Sequence, residues 1–402
     1  MSNTFTFDAQ ISPQEYDLWV VRQPNCNLLQ SSKWAQVKDN WQSRLTALRD
    51  ESGEIVAAGL VLIRPLKFGY TMWYLPHGPI LDYTRHDVLQ AYLDALKAVA
   101  KRTKCVFIRL DPPVAVEAAL KDELTGEPAE AALEVLRKLE EIGFEHQGFT
   151  EHMHDTLQPR SLAVVQTPGS DVDYEASLPK RTRTFARNAR NRYVQVRKGS
   201  EADLDEFMAV IAATEETKGI RLRSREYFEK LLRVYGEDAA LYLAYIQIDE
   251  AIAGYDASLT QARKKLEQVS EKKRANAQAE VDRLEKRKAE LEERAAIDGD
   301  YATLAGLLLI RYGISGELLY AGTNRNFGNI TAQELAWVEA LGDTFKAGAQ
   351  YVSLGGIEST HDDELTAFKS RFTPLIVDKL GEFDYPIRTL MYKAVRYVLR
   401  HR

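Results

Sequence analysis

Cysteine is nearly absent from this chain. Cys26 and Cys105 are the only two in 402 residues, and they lie far apart. That excludes a disulfide framework and a clustered thiolate metal site, and it suits a reducing, cytoplasmic compartment. Long apolar runs are missing too. The longest, "LAGLLLI" at 304–310, falls far short of the roughly 20 residues that cross a bilayer. The opening "MSNTFTFDAQISPQEYDLWV" has no basic stretch leading into an apolar one, so no signal peptide is expected. No segment reads as an amphipathic membrane helix, so contact with the inner face of the cell membrane is expected to be brief at most. No Gly-x-Ser-x-Gly occurs, and neither cysteine has a histidine near it in sequence, which leaves no covalent nucleophile. "EHMHD" at 151–155 offers two histidines on one expected strand face. A metal site needs more ligands than that, so no metal and no cofactor are expected.

What is present is ample apolar material, 45% of the residues, in a chain longer than one core usually organises. Two domains, or one built twice, are expected. The formal net charge is −6, yet "KRTRTFARNARNRYVQVRK" at 180–198 holds eight Lys or Arg and no acid. Such a strip needs an anionic partner or a set of acids elsewhere in the fold.

The element order repeats. Residues 12–41 read as two helices. "SRLTALRDESGEIVAAGLVLIRP" reads as two strands joined at Glu51–Gly53, and "MWYLPHGPILDY" as a third, broken at Pro76 and Gly78. "RHDVLQAYLDALKAVAKR" is an amphipathic helix with Val88, Tyr92, Leu93 and Leu96 on one face. "CVFIRLDPPV" is a buried-type strand stopped by two prolines, and "EAALEVLRKLEEIG" a helix ending at Gly143. The later half runs through the same order: two helices, three strands, a helix, a strand and a helix. This is a repeat of topology, not of residues, and it resembles the GNAT acyltransferase fold. The segment from 381 to 402 has no place in the second copy and is expected to pack on the first. The expected architecture is therefore α/β, a tandem pair of GNAT-like domains, with 1–155 plus 381–402 forming one and 156–380 the other.

One insertion breaks the second copy. Residues 260–298 contain no Gly or Pro and are dominated by Ala, Glu, Lys, Arg and Gln. Apolar positions recur at Leu259, Ala262, Leu266 and Val269, then at Ala277, Val281, Leu284, Leu291 and Ala295. The spacing predicts an antiparallel coiled-coil hairpin over 259–298 with its turn near "RANA". The outgoing arm is mainly basic and the return arm mainly acidic, so the arms complement each other. A solvated charged hairpin and a partner-binding arm both fit.

The ordered set "LLQSSKWAQVK", "YLPHGPILDY", "IRLDPP", "KGIRLRSREYF", "LGGI", "AFKSRF" and "GEFD" resembles the FemABX family of peptidoglycan-bridge aminoacyltransferases, from about Leu28 to Tyr392. The resemblance implies a tandem GNAT-like fold with a FemA-like helical hairpin. It also implies transfer of an amino acid from aminoacyl-tRNA to a side-chain amine of the stem peptide, on UDP-MurNAc-pentapeptide or lipid II. The family's motif positions place Lys38 and Arg223 on the precursor's phosphates, where cations are required and a guanidinium offers a planar donor fork. Tyr227, Tyr320 and Phe368 match substrate-site aromatics; edge-of-core packing explains the tyrosines as well.

Lys369 in "AFKSRF" matches a lysine at the transfer site. A fixed cation there lowers the pKa of the acceptor amine, steadies the RNA 3′ end or stabilises the developing oxyanion. Asp111 in "LDPP" suits a general base for the amine, an anchor that orients it, or a plain turn aspartate. The donor ester is already activated, so direct aminolysis needs mainly positioning and charge stabilisation. In "PHGP", His77 stands where this family is expected to carry Arg, which removes that residue's charge contact. Arg183, Arg187 and Arg190 recur at helical spacing and form one basic face suited to phosphates; the resemblance makes a tRNA acceptor arm its expected partner, with the precursor's phosphates second. Pairing with acids across the domain interface is the alternative.

Two other functions compete. An acetyl-CoA-dependent GNAT transferase needs a Gly-rich pyrophosphate loop, and the best match, "RNFGNI" at 325–330, ends in Ile. A non-enzymatic RNA-binding or scaffold protein accounts for the hairpin and basic strip, but leaves Lys38, Arg223 and Lys369 without a shared purpose. Oligomeric state is not read from the sequence.

Overall fold

The computed structural model describes residues 4–169, 171–219, 221–327 and 330–400. Among them the chain forms two mixed sheets of eight strands each. Strand β1 (Thr6–Asp8) leads into helices α1 (Pro13–Val20) and α2 (Ser32–Val37). Both helices start on a serine: Ser12 Oγ accepts the Glu15 amide and Ser31 Oγ the Trp34 amide. These caps satisfy first-turn amides that have no partner within the helix. An antiparallel meander follows, β2 (Gln42–Arg49), β3 (Ile55–Pro65) and β4 (Thr71–Leu75), with the short β5 (Ile80–Leu81) against β3. Helix α3 (His86–Lys101) buries Val88, Leu89, Tyr92, Leu93 and Leu96 on one face and returns the chain to β6 (Cys105–Leu110), parallel to β4. Then come β7 (Ala115–Leu120), α4 (Glu130–Glu141) and β8 (Glu145–His146).

The second half opens with β9 (Ser161–Gln166), α5 (Tyr174–Ser177), α6 (Lys180–Arg190) and β10 (Gln195–Gly199). It continues through α7 (Leu204–Lys218), α8 (Arg225–Tyr235), β11 (Ala239–Gln247), α9 (Ile248–Gln268), α10 (Glu271–Asp298), β12 (Tyr301–Tyr312) and β13 (Ser315–Thr323). Helix α11 (Ala332–Lys346) returns to β14 (Tyr351–Ile357), parallel to β13. The chain ends with α12 (Glu364–Lys369), β15 (Leu375–Lys379), β16 (Phe383–Pro386) and α13 (Thr389–Arg400). The run α1, α2, β2, β3, β4, α3, β6 thus recurs as α7, α8, β11, β12, β13, α11, β14. Each copy is an antiparallel meander closed by a helix and one parallel strand, which is the tandem GNAT-like plan.

Three details differ from the sequence reading. Strand β7 lies within 1–155 yet pairs with β15 at the edge of the second sheet, while β16 pairs with β6 and β8 in the first. The chain therefore crosses between sheets more often than contiguous segments allow, because strand pairing is set by long-range partners that local pattern does not encode. The hairpin begins at Ile248 and turns at Val269–Ser270, not at "RANA", which lies inside α10. Ala, Arg, Asn and Lys there carry no helix breaker, whereas Val269 and Ser270 adopt extended backbone. Arg263–Glu285 and Lys288–Asp256 bridge the arms at 2.7 and 2.6 Å. Finally, α13 is amphipathic, with Tyr392 buried and Leu390 and Tyr397 exposed.

The two halves share a core. Tyr16, Trp34, Leu60 and Leu62 of the first meet Phe207, Phe228, Tyr235, Leu308 and Ile310 of the second. Burying side chains of this size contributes about 1.5–3 kcal/mol each. Gly313 (φ +58) sits against the Val21 carbonyl, where a Cβ would come within 2.8 Å, so only glycine fits that approach. This packing fixes the cleft between the halves.

Candidate active site

Helices α2 and α8 pack antiparallel, tied by a 2.7 Å bond between Ser31 Oγ and the Tyr235 hydroxyl. That places Lys38, the residue after α2, beside the start of α8. Lys38 Nζ and the Arg223 guanidinium both sit over the Tyr227 ring, 5.9 and 5.4 Å from its centroid. Lys38 also lies over Trp34 at 5.1 Å. The Tyr227 and Tyr320 rings meet edge-on, with centroids 6.1 Å apart. Burial, then the Arg223 charge, pulls the Lys38 pKa down. A hydrogen bond with Tyr320 holds Arg223 above its ordinary value. Among the described residues neither cation has a carboxylate partner, so two positive charges are held together uncompensated, an arrangement suited to a dianion.

Strand β13 carries the site inward from Tyr320. Its pairing with β12 shifts by one residue, from Leu308↔Tyr320 to Leu309↔Leu318, with Ile310 opposite Glu317. Leu308 and Ile310 share a face, so the bulge places Tyr320 and Glu317 on one face too. Glu317 and Ser353 are also the last pair between β13 and β14 before these parallel strands separate. Glu317 therefore stands at the vertex of a V-shaped opening. Its carboxylate accepts from Ser353 Oγ at 2.9 Å. Burial drives its pKa up to about 7, opposed by Ser353 and by the charges of Lys379 and Lys369.

Lys369 enters the same opening from the end of α12. Asp363 caps that helix by accepting the Leu365 and Thr366 amides at 2.8 and 3.0 Å. Lys369 is buried and donates to the Gly356 carbonyl at 2.8 Å, where β14 has left β13. Phe368 turns away from it, edge-on to Trp337 at 5.0 Å, in the wall of a neighbouring hollow that includes Thr323, Gln333 and Leu365. Phe368 is thus not brought to the Lys38 cluster.

Asp111 closes the other wall. Both its oxygens are engaged by His77: Oδ1 accepts the backbone amide at 2.7 Å and Oδ2 lies 2.8 Å from Nδ1. His77 has φ +47, a left-handed conformation that these two bonds hold. Lys379 Nζ contacts the same ring, and burial brings its pKa down to about 8. Burial, then the Lys379 charge, keeps His77 neutral by lowering its pKa. Next to them Glu382 is pushed up to about 7 by burial, and Arg109 is clamped by Glu382 and by a two-bond contact with Asp384.

The basic strip divides in two. Arg190 is held by Glu175 through two 2.8 Å bonds and by Glu339 at 3.0 Å, so it does not join an open basic face. Both acids belong to the second half, not to the domain interface. Arg192, Arg197 and Lys198 also pair with acids. Arg183 and Arg187 are exposed and form no ion pair among the described residues. Helix α6 docks against the segment after Lys369: the Thr182 hydroxyl donates to the Arg371 carbonyl at 2.6 Å, and Arg371 lies 5.2 Å from both the Phe185 and Phe368 rings. The exposed arginines thus sit on a helix docked beside the segment that follows Lys369.

Two other sequence features resolve differently. His152 and His154 lie in an irregular loop, not a strand, and face Glu358 and Asp155. The "RNFGNI" stretch forms a short helical turn at Arg325–Phe327, and its Gly328 and Asn329 lie outside the described residues.

The FemAB family model matches residues 11–400. The chain belongs to the FemAB family. Its relatives in that family include a lipid II:glycine glycyltransferase of Staphylococcus epidermidis, 29% identical over 409 residues, covering 96% of this chain and 94% of the relative. Another, from Staphylococcus aureus, is 28% identical over 414 residues with the same coverage. The crystal structure of FemX superposes with a TM-score of 0.78 at 27% identity, covering 97% of this chain and 99% of that one.

Sequence reasoning missed Glu317 and Lys379. A Glu in "SGELLY" reads as a solvent-facing strand position, and "VDK" as a strand end. Only the bulge in β13 and the passage of β15 into β16 between the sheets bring Glu317, half-buried, and the buried Lys379 into the cleft.

Proposed function

We propose that this protein transfers an aminoacyl group from aminoacyl-tRNA to the side-chain amine of the stem peptide on lipid II. The observation that carries this reading is the uncompensated Lys38–Arg223 pair over Tyr227, a seat for the precursor's diphosphate. Through Tyr320 and Glu317 on one face of β13, that seat leads to Lys369 at the strand opening. The staphylococcal relatives, named as lipid II:glycine transferases, supply the acceptor class and make glycine the first donor to test.

The chemistry is direct aminolysis. The acceptor nitrogen attacks the ester carbonyl, and the bond to the tRNA ribose oxygen breaks. Glu317 takes the proton that the attacking amine sheds and returns it to the departing ribose oxygen. With its pKa near 7 it is matched to both tasks. Lys369 faces the oxygen on which charge develops. Asp111 acts through His77, orienting the ring against Lys379 so that a cation stays beside Glu317. Arg183 and Arg187 hold the tRNA backbone on the way in.

The test uses glycyl-tRNA labelled on the glycine, with lipid II as acceptor. Label should move into the lipid fraction, and ribonuclease treatment of the donor beforehand should abolish the transfer. Transfer that survives ribonuclease would remove tRNA from the reading.

A further inference from the structure

One corner of this acidic chain is both basic and apolar. The turn after β3 presents Phe68, 88% exposed, and α13 presents Leu390, 85% exposed. These are the two most exposed large hydrophobic side chains among the described residues, and Tyr397, also on α13, is 67% exposed. Isolated exposed apolar residues are ordinary, but Phe68 lines a groove whose walls also include Pro65, Leu66, Tyr70, Met391 and Val395, and Leu390 directly precedes Met391 on α13.

The surroundings of that groove are cationic. Arg64 and Lys67 are part of its walls, Arg388 lies 5.7 Å from the Tyr70 ring, and Lys393 is exposed on α13. A third segment, 101–104 ("KRTK"), adjoins them: Arg388 donates to the Thr103 carbonyl at 3.1 Å, and Lys104 reaches towards Gly69. None of the three stretches 64–70, 101–107 and 388–402 contains an Asp or Glu. Arg396, also on α13, points away from the groove, donating to the Tyr392 hydroxyl at 3.2 Å and lying 3.9 Å from Glu145. In a chain of net charge −6, that concentration selects an anionic, apolar-backed partner.

A short chain of contacts links the groove to the Lys38 segment of the candidate active site. The Arg64 guanidinium lies 5.5 Å from the Trp41 ring, and the Trp41 amide donates to the Lys38 carbonyl at 2.9 Å. A substrate whose diphosphate sits at Lys38 and whose tail stays in a bilayer needs a membrane-facing surface here. That last step rests on the proposed function; the composition of the corner does not.

We propose that this corner seats on an anionic lipid bilayer, with Phe68 and Leu390 entering the headgroup–acyl boundary and the surrounding Lys and Arg on the lipid phosphates. The experiment is co-sedimentation of the full chain with vesicles of phosphatidylglycerol and phosphatidylcholine, and with phosphatidylcholine alone, at low and high salt. No lipid II or tRNA is present, so the outcome is independent of the transfer reaction. The chain should pellet with the anionic vesicles, less so as salt rises, and stay in solution with phosphatidylcholine alone. F68S/L390S and K67E/K393E should each weaken binding about ten-fold or more. All four side chains are exposed, so circular dichroism should stay unchanged. A wild-type chain that ignores anionic vesicles, or variants that bind as well as it does, would overturn the proposal. So would a wild-type dimer in sedimentation velocity that F68S/L390S converts to monomer, since the groove would then belong to a second copy.

Discussion

Lys379 Nζ lies 2.9 Å from Nδ1 and 3.2 Å from Nε2 of His77, whose Nδ1 is also 2.8 Å from Asp111 Oδ2. One nitrogen cannot both donate to Asp111 and accept from Lys379. The consistent assignment gives Nδ1–H to the carboxylate and leaves the Nε2 lone pair for the ammonium. Asp111, a neutral His77 and Lys379 then form a hydrogen-bonded line from carboxylate to ammonium into the cleft, ending beside Glu317.

Removing the ammonium should release the imidazole. In Lys379→Met the His77 pKa should rise, because Asp111 then favours the imidazolium against burial alone. Nitrogen-15 NMR of the ring across pH reads this directly, and an unchanged titration would contradict the assignment.

The same lysine predicts a stability slope. Its folded pKa is about 8 against an ordinary 10.5. Between those values the unfolded chain holds a proton that the folded chain has lost, so stability rises with pH across that window. Relative to Lys379→Met, the wild type should gain on the order of 2–3 kcal/mol between about pH 7 and about pH 10. Urea unfolding at the two pH values measures the difference, and equal differences would refute a buried titrating lysine.

Glu317 should set the acid limb of the rate. It must be ionised to take the proton, so kcat/KM should rise with pH through about 7. Glu317→Gln should lower kcat/KM by about 10²–10⁴ and flatten that limb. A variant that keeps the limb assigns it to another group, Glu382 being the next with a value near 7.

Lys38→Met and Arg223→Met should each raise the acceptor KM about ten- to a hundred-fold, since charge-assisted bonds to phosphate contribute about 1.5–3 kcal/mol. The donor KM should barely move. Lys369→Met should instead lower kcat by about 10²–10³ with little change in either KM. Equal effects on both substrates would remove Lys38 and Arg223 from the phosphates.

Arg183→Glu with Arg187→Glu should weaken tRNA binding and reduce its salt dependence. Arg190→Ala should lower thermal stability and leave tRNA affinity nearly unchanged, because Glu175 and Glu339 already hold that side chain. Loss of tRNA affinity on Arg190→Ala alone would reverse the division of the strip.

Local chemistry made much of this legible. The period of α3, the turn at Glu51–Gly53 and the prolines after β6 act over a few residues, and each stands where the sequence places it. Lys38, Arg223, Tyr227 and Tyr320 were legible as motif positions, and the α2–α8 packing brings them together. What was hidden depends on distant pairing. Strand β7 finds its partner in β15, at the other end of the chain. Glu317 faces the cleft because of a one-residue bulge. Arg190 looks like its neighbours on α6 until Glu339 folds against it. The turn of the hairpin escaped because nothing at "RANA" stops a helix.

Weighing the acceptor reads the transfer itself. The protein, a pool of charged tRNAs and lipid II are incubated together, with UDP-MurNAc-pentapeptide in a parallel tube, and the products are read by mass spectrometry. Lipid II should gain the mass of one amino acid at its stem-peptide amine, and Glu317→Gln and Lys369→Met should slow that gain. An unchanged mass on both acceptors, with acetyl-CoA consumed in a third tube, would contradict the proposed transfer.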